Sequence, residues 1–257
     1  MSNLLVVDWD YFFPSPEGKP NPTTEEFFLY DWGHSEAWHP ALGAALWVNR
    51  ANVFDMNNLP RPVMNDEWRE FWDRFDIDED AVLYFADSNS QAYHHFVRES
   101  VDEAGPSTVW LYDAHHDSGY GKPLEKIKED QRVSCEDWMC AYHLDGAELH
   151  VRYPRWKYWA MDEQDPSIPL DRQIDDGEPV PVKFDVIFLC RSGSWVPPWC
   201  DNLFVEFYQA APVAEFYELV ECEPREWDET LVAEHAEVQR KVMNWAVAQT
   251  GEPDATP

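Results

Sequence analysis

Basic residues are scarce in this chain of 257 residues. Only 19 lysines and arginines stand against 50 aspartates and glutamates, which gives a formal net charge of −31 at pH 7. A protein that binds nucleic acid needs a basic face, because it must neutralise the phosphate charge. The composition therefore argues against a nucleic-acid partner. It is compatible with a cationic substrate or with a heavily solvated acidic surface.

Long apolar runs are also missing. No stretch approaches the roughly 20 apolar residues that span a bilayer as a helix. The start, MSNLLVVDWDYFF, has no basic segment and carries acids inside its apolar run, which argues against a signal peptide. The five cysteines form no CxxC pair, and such a scattered, odd set is typical of free thiols in a reducing compartment. We therefore expect a cytoplasmic protein with no membrane partner.

Several common catalytic signatures are absent as well. The sequence contains no Gly-rich phosphate loop and no Cys/His spacing of the zinc type. The segment RSGSW (191–195) lacks the GxSxG pattern of a serine hydrolase. The N-terminal DxD is shared with haloacid-dehalogenase phosphatases, but Tyr11 and Phe12 follow Asp10 in place of their Thr or Val pattern. These observations disfavour serine hydrolases and phosphatases.

What the sequence does contain is a series of short apolar runs separated by helical patterns. Near-continuous hydrophobicity over four to eight residues suits strands that are buried on both faces of a parallel sheet. The predicted strands are 4–7, 81–86, 108–112, 148–153 and 185–190, and the predicted helices are 39–54, 65–75, 90–104, 134–144 and 229–249. This alternation predicts an α/β three-layer sandwich with a mostly parallel sheet.

The length and the 44% apolar content are sufficient for one large core, so we expect a single domain over residues 1–257. The segment 154–183 is rich in Pro, Asp and Trp, which predicts a lid or excursion outside the core. Residues 251–257, GEPDATP, are expected to form a flexible tail.

Polar clusters follow four of the predicted strands at the point where each strand ends. In open α/β sheets this carboxyl edge is where ligands bind, because the loops diverge there. The residues concerned are Asp8 and Asp10, then Asp87, Ser88 and Asn89, then Asp113, His115, His116 and Asp117, and finally Arg191, Ser192 and Ser194. The sequence therefore predicts one shared binding site at this edge.

The acids in these clusters have the spacing of metal ligands. Asp113 and His115 are two residues apart at a strand end, which puts both side chains on one side of the chain, and Asp8 and Asp10 repeat this spacing. Carboxylates gathered in a low-dielectric cleft repel one another, and a divalent cation relieves the repulsion. An oxygen-dominated set with one imidazole favours Mn²⁺ over Zn²⁺ or Fe²⁺. The alternative is that these aspartates cap helices or form Asx turns.

Three segments of the sequence resemble motifs of a known protein family. YDAHHD (112–117) resembles the DAHxD metal motif of the arginase and histone-deacetylase superfamily, and VVDWDYFF (6–13) resembles the start of a bacterial branch that includes peptide arginases. CEDWM (135–139) is similar to the element that follows DAHxD in that branch. The resemblance covers residues 1 to about 145, in pieces.

The resemblance implies an arginase-like fold and one or two Mn²⁺ ions held by Asp8, Asp10, Asp113, His115 and Asp117. In such sites a water shared by two ions becomes a nucleophile that attacks an electrophilic carbon. The implied reaction is removal of urea from an arginine guanidinium, in a cationic small molecule or an arginine-containing peptide. We predict catalytic roles for Asp117 and His116. Substrate contacts are expected from Asp87, Ser88, Asn89, Arg191, Ser192 and Ser194.

The sequence departs from this family at the second strand end. Ser88 and Asn89 stand where a histidine ligand is expected, and His94 and His95 follow only further along the predicted helix. Three outcomes therefore stay open. They are a weakened enzyme with two ions, an amidohydrolase of the deacetylase type with one ion, and a non-catalytic binding protein on the same fold.

Overall fold

Seven parallel strands form a single sheet in this computed structural model. The structure describes residues 2–13, 47, 67–101, 105–130, 132–159, 164–220, 222, 224–228, 230, 233, 234, 237, 238, 241, 244 and 245. Most of the predicted helices 39–54 and 229–249, and the whole predicted tail 251–257, lie outside these residues. The single-domain organisation stays a prediction.

The strands lie in the order β5-β4-β3-β1-β6-β2-β7, and every neighbouring pair is parallel. Their bounds are β1 Asn3–Asp8, β2 Asp76–Ala86, β3 Thr108–Tyr112, β4 Glu148–Tyr153, β5 Asp171–Ile174, β6 Lys183–Cys190 and β7 Glu215–Glu218. All five predicted strands are therefore confirmed. The crossovers between parallel strands account for the alternation of strands and helices along the chain.

The described α-helices are short. They are α1 Glu67–Glu70, α2 His95–Ser100, α3 Leu124–Glu129, α4 Trp138–Asp145 and α5 Asp201–Gln209. Single 3₁₀ turns occupy Trp9–Phe12, Phe71–Arg74, Asn89–Tyr93, Arg155–Trp159 and Pro198–Cys200. The predicted helix 65–75 is thus α1 followed by a 3₁₀ turn, and 90–104 is a 3₁₀ turn followed by α2. Helix α4 ends at Gly146, whose φ of 94° is favourable only for glycine.

The two faces of the sheet are packed against different helices. Leu5 and Val7 of β1 point into a cluster with Phe204 and Phe207 of α5, and Trp68 of α1 joins them. The alternate residues Leu4 and Val6 point the other way, into a cluster with Val97 of α2 and with Trp138 and Tyr142 of α4. This period of two buries both faces of the same strand. The predicted three-layer α/β class is confirmed.

Part of the segment 154–183, which was predicted to be a lid or excursion, belongs to the sheet, and the lid or excursion stays a prediction for the rest of the segment. Residues Asp171–Ile174 form β5, which pairs in parallel with β4 at the edge of the sheet. The run DRQI is short and polar, features that keep an edge strand from pairing with another chain. Earlier in the segment, Lys157 is buried and donates to the carbonyl of Ala114, so this part packs directly over the end of β3.

The register of the sheet brings four strand ends to one level. Asp8 at the end of β1 pairs with Cys190 at the end of β6, and Ala86 at the end of β2 pairs with the same residue. On the other side of β1, Val7 pairs with Tyr112 at the end of β3. The four polar clusters therefore leave the sheet side by side. Within the described residues, no helix combines the length and apolar character that crossing a membrane requires.

Candidate metal centre

The first two carboxylates are fixed by the residue between them. Trp9 is fully buried in an aromatic cluster, with its ring centroid 4.9 Å from that of Phe12 and 5.0 Å from that of Phe207. Because Trp9 is held on that side, the flanking Asp8 and Asp10 turn toward the carboxyl edge of the sheet, where both are buried. Asp8 accepts a hydrogen bond from the backbone N–H of Asp10 at 3.0 Å, which holds the turn.

Asp10, Asp113 and His115 form the most compact ligand set. Nδ1 of His115 lies 3.1 Å from Oδ2 of Asp10 and 3.3 Å from Oδ1 of Asp113. One ligand atom from each residue lies within 4.8 Å of the other two, so the three can hold a single cation. The side chain of His115 is 28% exposed, whereas those of Asp10 and Asp113 are 5% and 1% exposed. His115 therefore marks the open side of the cluster, beside Trp195.

Asp117 joins the cluster through a left-handed turn. Its φ is 47°, in a region that Asp tolerates better than most residues, and such backbone conformations concentrate at functional sites. Oδ2 of Asp117 accepts a hydrogen bond from the indole N–H of Trp138 at 2.7 Å. Trp138 lies in the CEDWM element, at the first position of α4. It positions the Asp117 carboxylate, a role that the sequence did not reveal.

Asn89 lies at the point where three strand ends meet. Its side-chain Nδ2 is 2.7 Å from Oδ2 of Asp8, 3.0 Å from Oδ2 of Asp113 and 2.9 Å from Oδ2 of Asp117. Asp113 thus uses its two oxygens differently, with Oδ1 next to His115 and Oδ2 next to Asn89. The residues at the ends of β1, β2 and β3 form one continuous group.

Burial and mutual repulsion control the charge of this group in the absence of a cation. Burial raises the pKa of Asp8 and of Asp113 well above the ordinary value, and the neighbouring carboxylates raise both further. Burial also opposes ionisation of Asp10, but the attraction of His115 and hydrogen bonds outweigh it and lower the pKa of Asp10. The same attraction raises the pKa of His115 well above its ordinary value, although burial opposes this. A bound cation would favour the ionised carboxylates.

The surroundings of Arg191 do not favour the substrate contact predicted for it, and the substrate contact predicted for Asp87 stays a prediction. The Arg191 side chain is only 1% exposed, and its Nε donates to Oδ1 of Asp87 at 2.7 Å. Its Nη1 lies 3.3 Å from Oδ2 of Asp201 and 3.2 Å from the carbonyl of Cys222. A guanidinium that is enclosed and paired in this way is not available to a ligand. The pair instead anchors the loop that follows β6.

The same anchor positions Ser192. The backbone N–H of Gly193 donates to Oδ1 of Asp87 at 2.9 Å, and a Cβ at residue 193 would lie only 2.5 Å from that oxygen. This close approach requires glycine. Ser192, with φ of 55°, then donates its hydroxyl to Oδ2 of Asp8 at 2.9 Å. Ser192 is 2% exposed, so its observed role is to orient a carboxylate.

The other predicted substrate contacts have different outcomes. Ser88 accepts from the N–H of Ser90 and caps the 3₁₀ turn at Asn89–Tyr93. Asn89 itself is only 3% exposed and lies inside the carboxylate group. The role of Ser194, which is buried, stays a prediction.

His116 is a buried residue next to Asp117, and its ring accepts and donates hydrogen bonds to nearby backbone groups. The ring is fully buried, and its Nδ1 accepts a hydrogen bond from the N–H of Ser118 at 3.1 Å. This leaves the proton on Nε2, which lies 2.8 Å from the carbonyl of Gln164. The ring also stacks on Tyr120 at a centroid distance of 4.1 Å. Both ring nitrogens have hydrogen-bond partners, and the catalytic role predicted for His116 stays a prediction.

Neither His94 nor His95 replaces the missing histidine ligand. Nδ1 of His94 accepts from the N–H of Phe96 and caps α2, while His95 is exposed at the start of that helix. Lys157 is the second residue that sequence reasoning missed. It is 2% exposed and donates to the carbonyl of Ala114, between two predicted ligands, but nothing in its local sequence indicates that position.

The fold and the site define an α/β protein with a carboxylate-rich candidate metal centre at the carboxyl edge of a parallel sheet. Comparison with protein-family models, with curated proteins and with solved structures finds no match to this chain. The resemblance to arginases therefore depends on the short motifs alone.

Proposed function

We propose that this protein is a metal-dependent hydrolase in which Asp10, Asp113 and His115 hold a divalent cation. The observation that carries the proposal is the convergence of these three ligand atoms within 4.8 Å of one another, from the ends of two adjacent strands. Two buried carboxylates and one imidazole suit Mn²⁺, although other divalent ions also bind such ligands. In a hydrolase, such an ion supplies an activated water and polarises the bond that is cleaved.

The proposed target is a C–N bond in a guanidinium or amide group of a cationic substrate. The net charge of −31 supports a cationic small molecule or an arginine-containing peptide, because a negative field raises the local concentration of cations. The open side at His115 supports approach of the substrate next to the ion. The DAHxD and DxD motifs support an arginase-like reaction that releases urea and leaves ornithine.

The proposal includes a cytoplasmic location, which the five free cysteines, four of them buried, support. The rivals of the arginase-like reaction are a single-ion amidohydrolase of the deacetylase type and a non-catalytic binding protein. Asn89 favours them, since it occupies the place where the resembling family has a histidine ligand.

Elemental analysis and an activity assay together test the proposal. Protein purified and reloaded with Mn²⁺ should contain bound metal and should release urea from arginine-containing peptides. Asp10→Asn should lose both properties, whereas Asp73→Asn, on the 3₁₀ turn Phe71–Arg74, should keep both. Metal binding without turnover of guanidinium or amide substrates would favour the binding protein. The absence of bound metal, with no change in melting temperature on adding Mn²⁺, would refute the metal centre.

A further inference from the structure

We infer that β7 is a docking surface for a basic, extended segment of another protein chain, which pairs with β7 as a further strand of the sheet. The surface consists of the exposed strand Glu215–Glu218 at one end of the sheet. Strands β2 and β6 lie between β7 and β1, which leads to Asp8 and Asp10 of the candidate metal centre. The surface is therefore separate from that centre, and the inference does not rest on the proposed function.

The outer side of β7 presents backbone groups that can pair with another strand. β7 pairs with β2 on one side, and among the described residues no strand lies on its other side. The N–H of Leu219 donates to the carbonyl of Phe85 in β2, and alternate residues of β7 face β2 in the same way. The backbone N–H and C=O of Phe216 and Glu218, which lie between those residues in sequence, therefore point outward.

Aromatic side chains at this edge leave a large apolar area exposed. The exposed fractions of Phe216 and Tyr217 are 47% and 48%, and that of the nearby Val220 is 45%. These are three of the seven large apolar residues that are exposed within the described part of the chain, whereas the other edge strand, β5, contains none of them. An exposed apolar edge is a template for pairing with another chain. Polar residues protect one edge of this sheet, and the other edge is available.

Each face of β7 offers one aromatic ring and one carboxylate. Alternate side chains of a strand point to opposite faces, so Glu215 and Tyr217 share one face, and Phe216 and Glu218 share the other. The Tyr217 ring stacks on Tyr84 at a centroid distance of 5.8 Å, and its hydroxyl donates to Oε2 of Glu215 at 2.6 Å. A strand laid beside β7 therefore matches it best with two central apolar residues flanked by two basic residues.

The charge of the edge distinguishes between a foreign segment and a second copy of this chain. Antiparallel pairing of two β7 strands in full register places glutamates opposite each other at both ends, and like charges directly opposite destabilise a strand pair. Each copy also carries a net charge of −31, which opposes association. Lysine or arginine opposite these glutamates turns the repulsion into attraction. The main-chain hydrogen bonds of such a pairing supply affinity, and the side chains supply specificity.

Binding of short peptides to the full chain tests the inference. The probe is a fluorescein-labelled TKVVKT peptide with blocked ends, whose central KVVK has the required order in either strand direction. Anisotropy is measured in about 0.15 M salt with a chelator, so that the result is independent of metal binding. The wild type should bind this peptide saturably, and it should bind TEVVET at least about tenfold more weakly. N-methylation of both valines should weaken binding about tenfold or more, because it removes an N–H that pairs with β7 in either register.

Protein variants locate the bound peptide. Phe216→Ser combined with Tyr217→Ser should weaken binding of TKVVKT about tenfold. Leu144→Ser is the matched control, since Leu144 is 44% exposed on α4, and it should bind as the wild type does. Glu215→Lys, at an exposed residue, should also weaken binding and covers the case in which the serine variant does not fold. Glu148→Lys changes the net charge equally at an exposed residue of β4 and should change binding less than about twofold.

Three results would overturn the inference. The first is the absence of saturable binding of TKVVKT to the wild type. The second is equal binding of the N-methylated peptide, or equal binding by the folded serine variant, because attraction between charges would then explain the binding. The third is a wild type that is dimeric in analytical ultracentrifugation and becomes monomeric in the serine variant, which would assign the β7 edge to a second copy of this chain.

Discussion

Replacing Asp113 with asparagine should stabilise the metal-free protein and abolish its response to metal. Asp113 is fully buried beside other carboxylates, and a neutral side chain in its place relieves their mutual repulsion. Asparagine keeps the shape, and its carbonyl can still accept the N–H of His115, which Oδ1 of Asp113 accepts at 2.8 Å. The same change alters a carboxylate that contacts both His115 and Asn89.

The distance between the carboxylates of Asp8 and Asp113 gives the size of the repulsion that the substitution relieves. Oδ2 of Asp8 and Oδ2 of Asp113 lie 2.7 and 3.0 Å from the same Asn89 nitrogen, so they are at most about 5.7 Å apart. At an effective dielectric constant of about 20, two full charges at this distance repel by about 3 kcal/mol. Partial protonation relieves some of this repulsion, since both pKa values are raised. We therefore expect Asp113→Asn to raise the free energy of unfolding by about 1–3 kcal/mol at pH 8.

The assay is thermal unfolding with and without Mn²⁺. At a free concentration of about 100 times Kd, Mn²⁺ should stabilise the wild type by about 2.7 kcal/mol, or roughly 5–11 °C for a chain of this size. Asp113→Asn should show no shift. Asp201→Asn is the matched control, because Asp201 is equally buried but pairs with Arg191 and Arg225. It should be destabilised and should still respond to Mn²⁺. An Asp113→Asn variant that is much less stable than the wild type would refute the reasoning.

Two further predictions concern charge in the interior. The metal-free protein should lose stability as pH rises from 6 to 9. Asp8 and Asp113 have raised pKa values in the fold, so their ionisation costs stability as pH rises above their unfolded pKa of about 3.9. The stability that protonated His115 contributes is fully present below its unfolded pKa of about 6.5. That stability is lost as pH rises through the raised pKa of His115 in the fold. Urea unfolding in chelator measures this, and a flat profile would contradict the raised pKa values. Secondly, Arg191→Met should cost about 3–5 kcal/mol, since Asp87 loses the Arg191 guanidinium and the buried Asp201 keeps only Arg225. Arg69→Met, at an exposed ion pair, should change stability by less than about 0.5 kcal/mol, and equal losses in the two variants would refute the argument.

The strands that the sequence predicted are those buried on both faces. Runs such as LLVV and DVIFLC have no polar alternation because helices cover both sides of β1 and β6. The strands that it did not predict are the two edges, β5 (DRQI) and β7 (EFYE). All four residues of β7 are exposed. Edge strands carry little hydrophobic signal, and only pairing with the neighbouring strand defines them.

The site was predictable to the extent that strand direction determines it. Parallel strands bring their carboxyl ends to one edge, and this principle alone groups Asp8 and Asp10 with Asp113, His115 and Asp117. Asn89 was placed at the same edge, but its position inside the carboxylate group depends on the 3₁₀ turn after β2. The acidic partners of Arg191 are 104 and 10 residues away in sequence. Its burial between acids depends on contacts that no local pattern encodes.

The anchor of the loop after β6 extends well beyond that loop. The carbonyl of Cys222 accepts from Arg191, and Arg225 donates to the carbonyls of Gly193 and Val196. Shortened versions of the chain that stop before residue 222 would therefore leave the segment bearing Ser192 without these supports. Deletion mapping that scores only the presence of the aspartates would overlook this dependence and would misplace the smallest competent fragment.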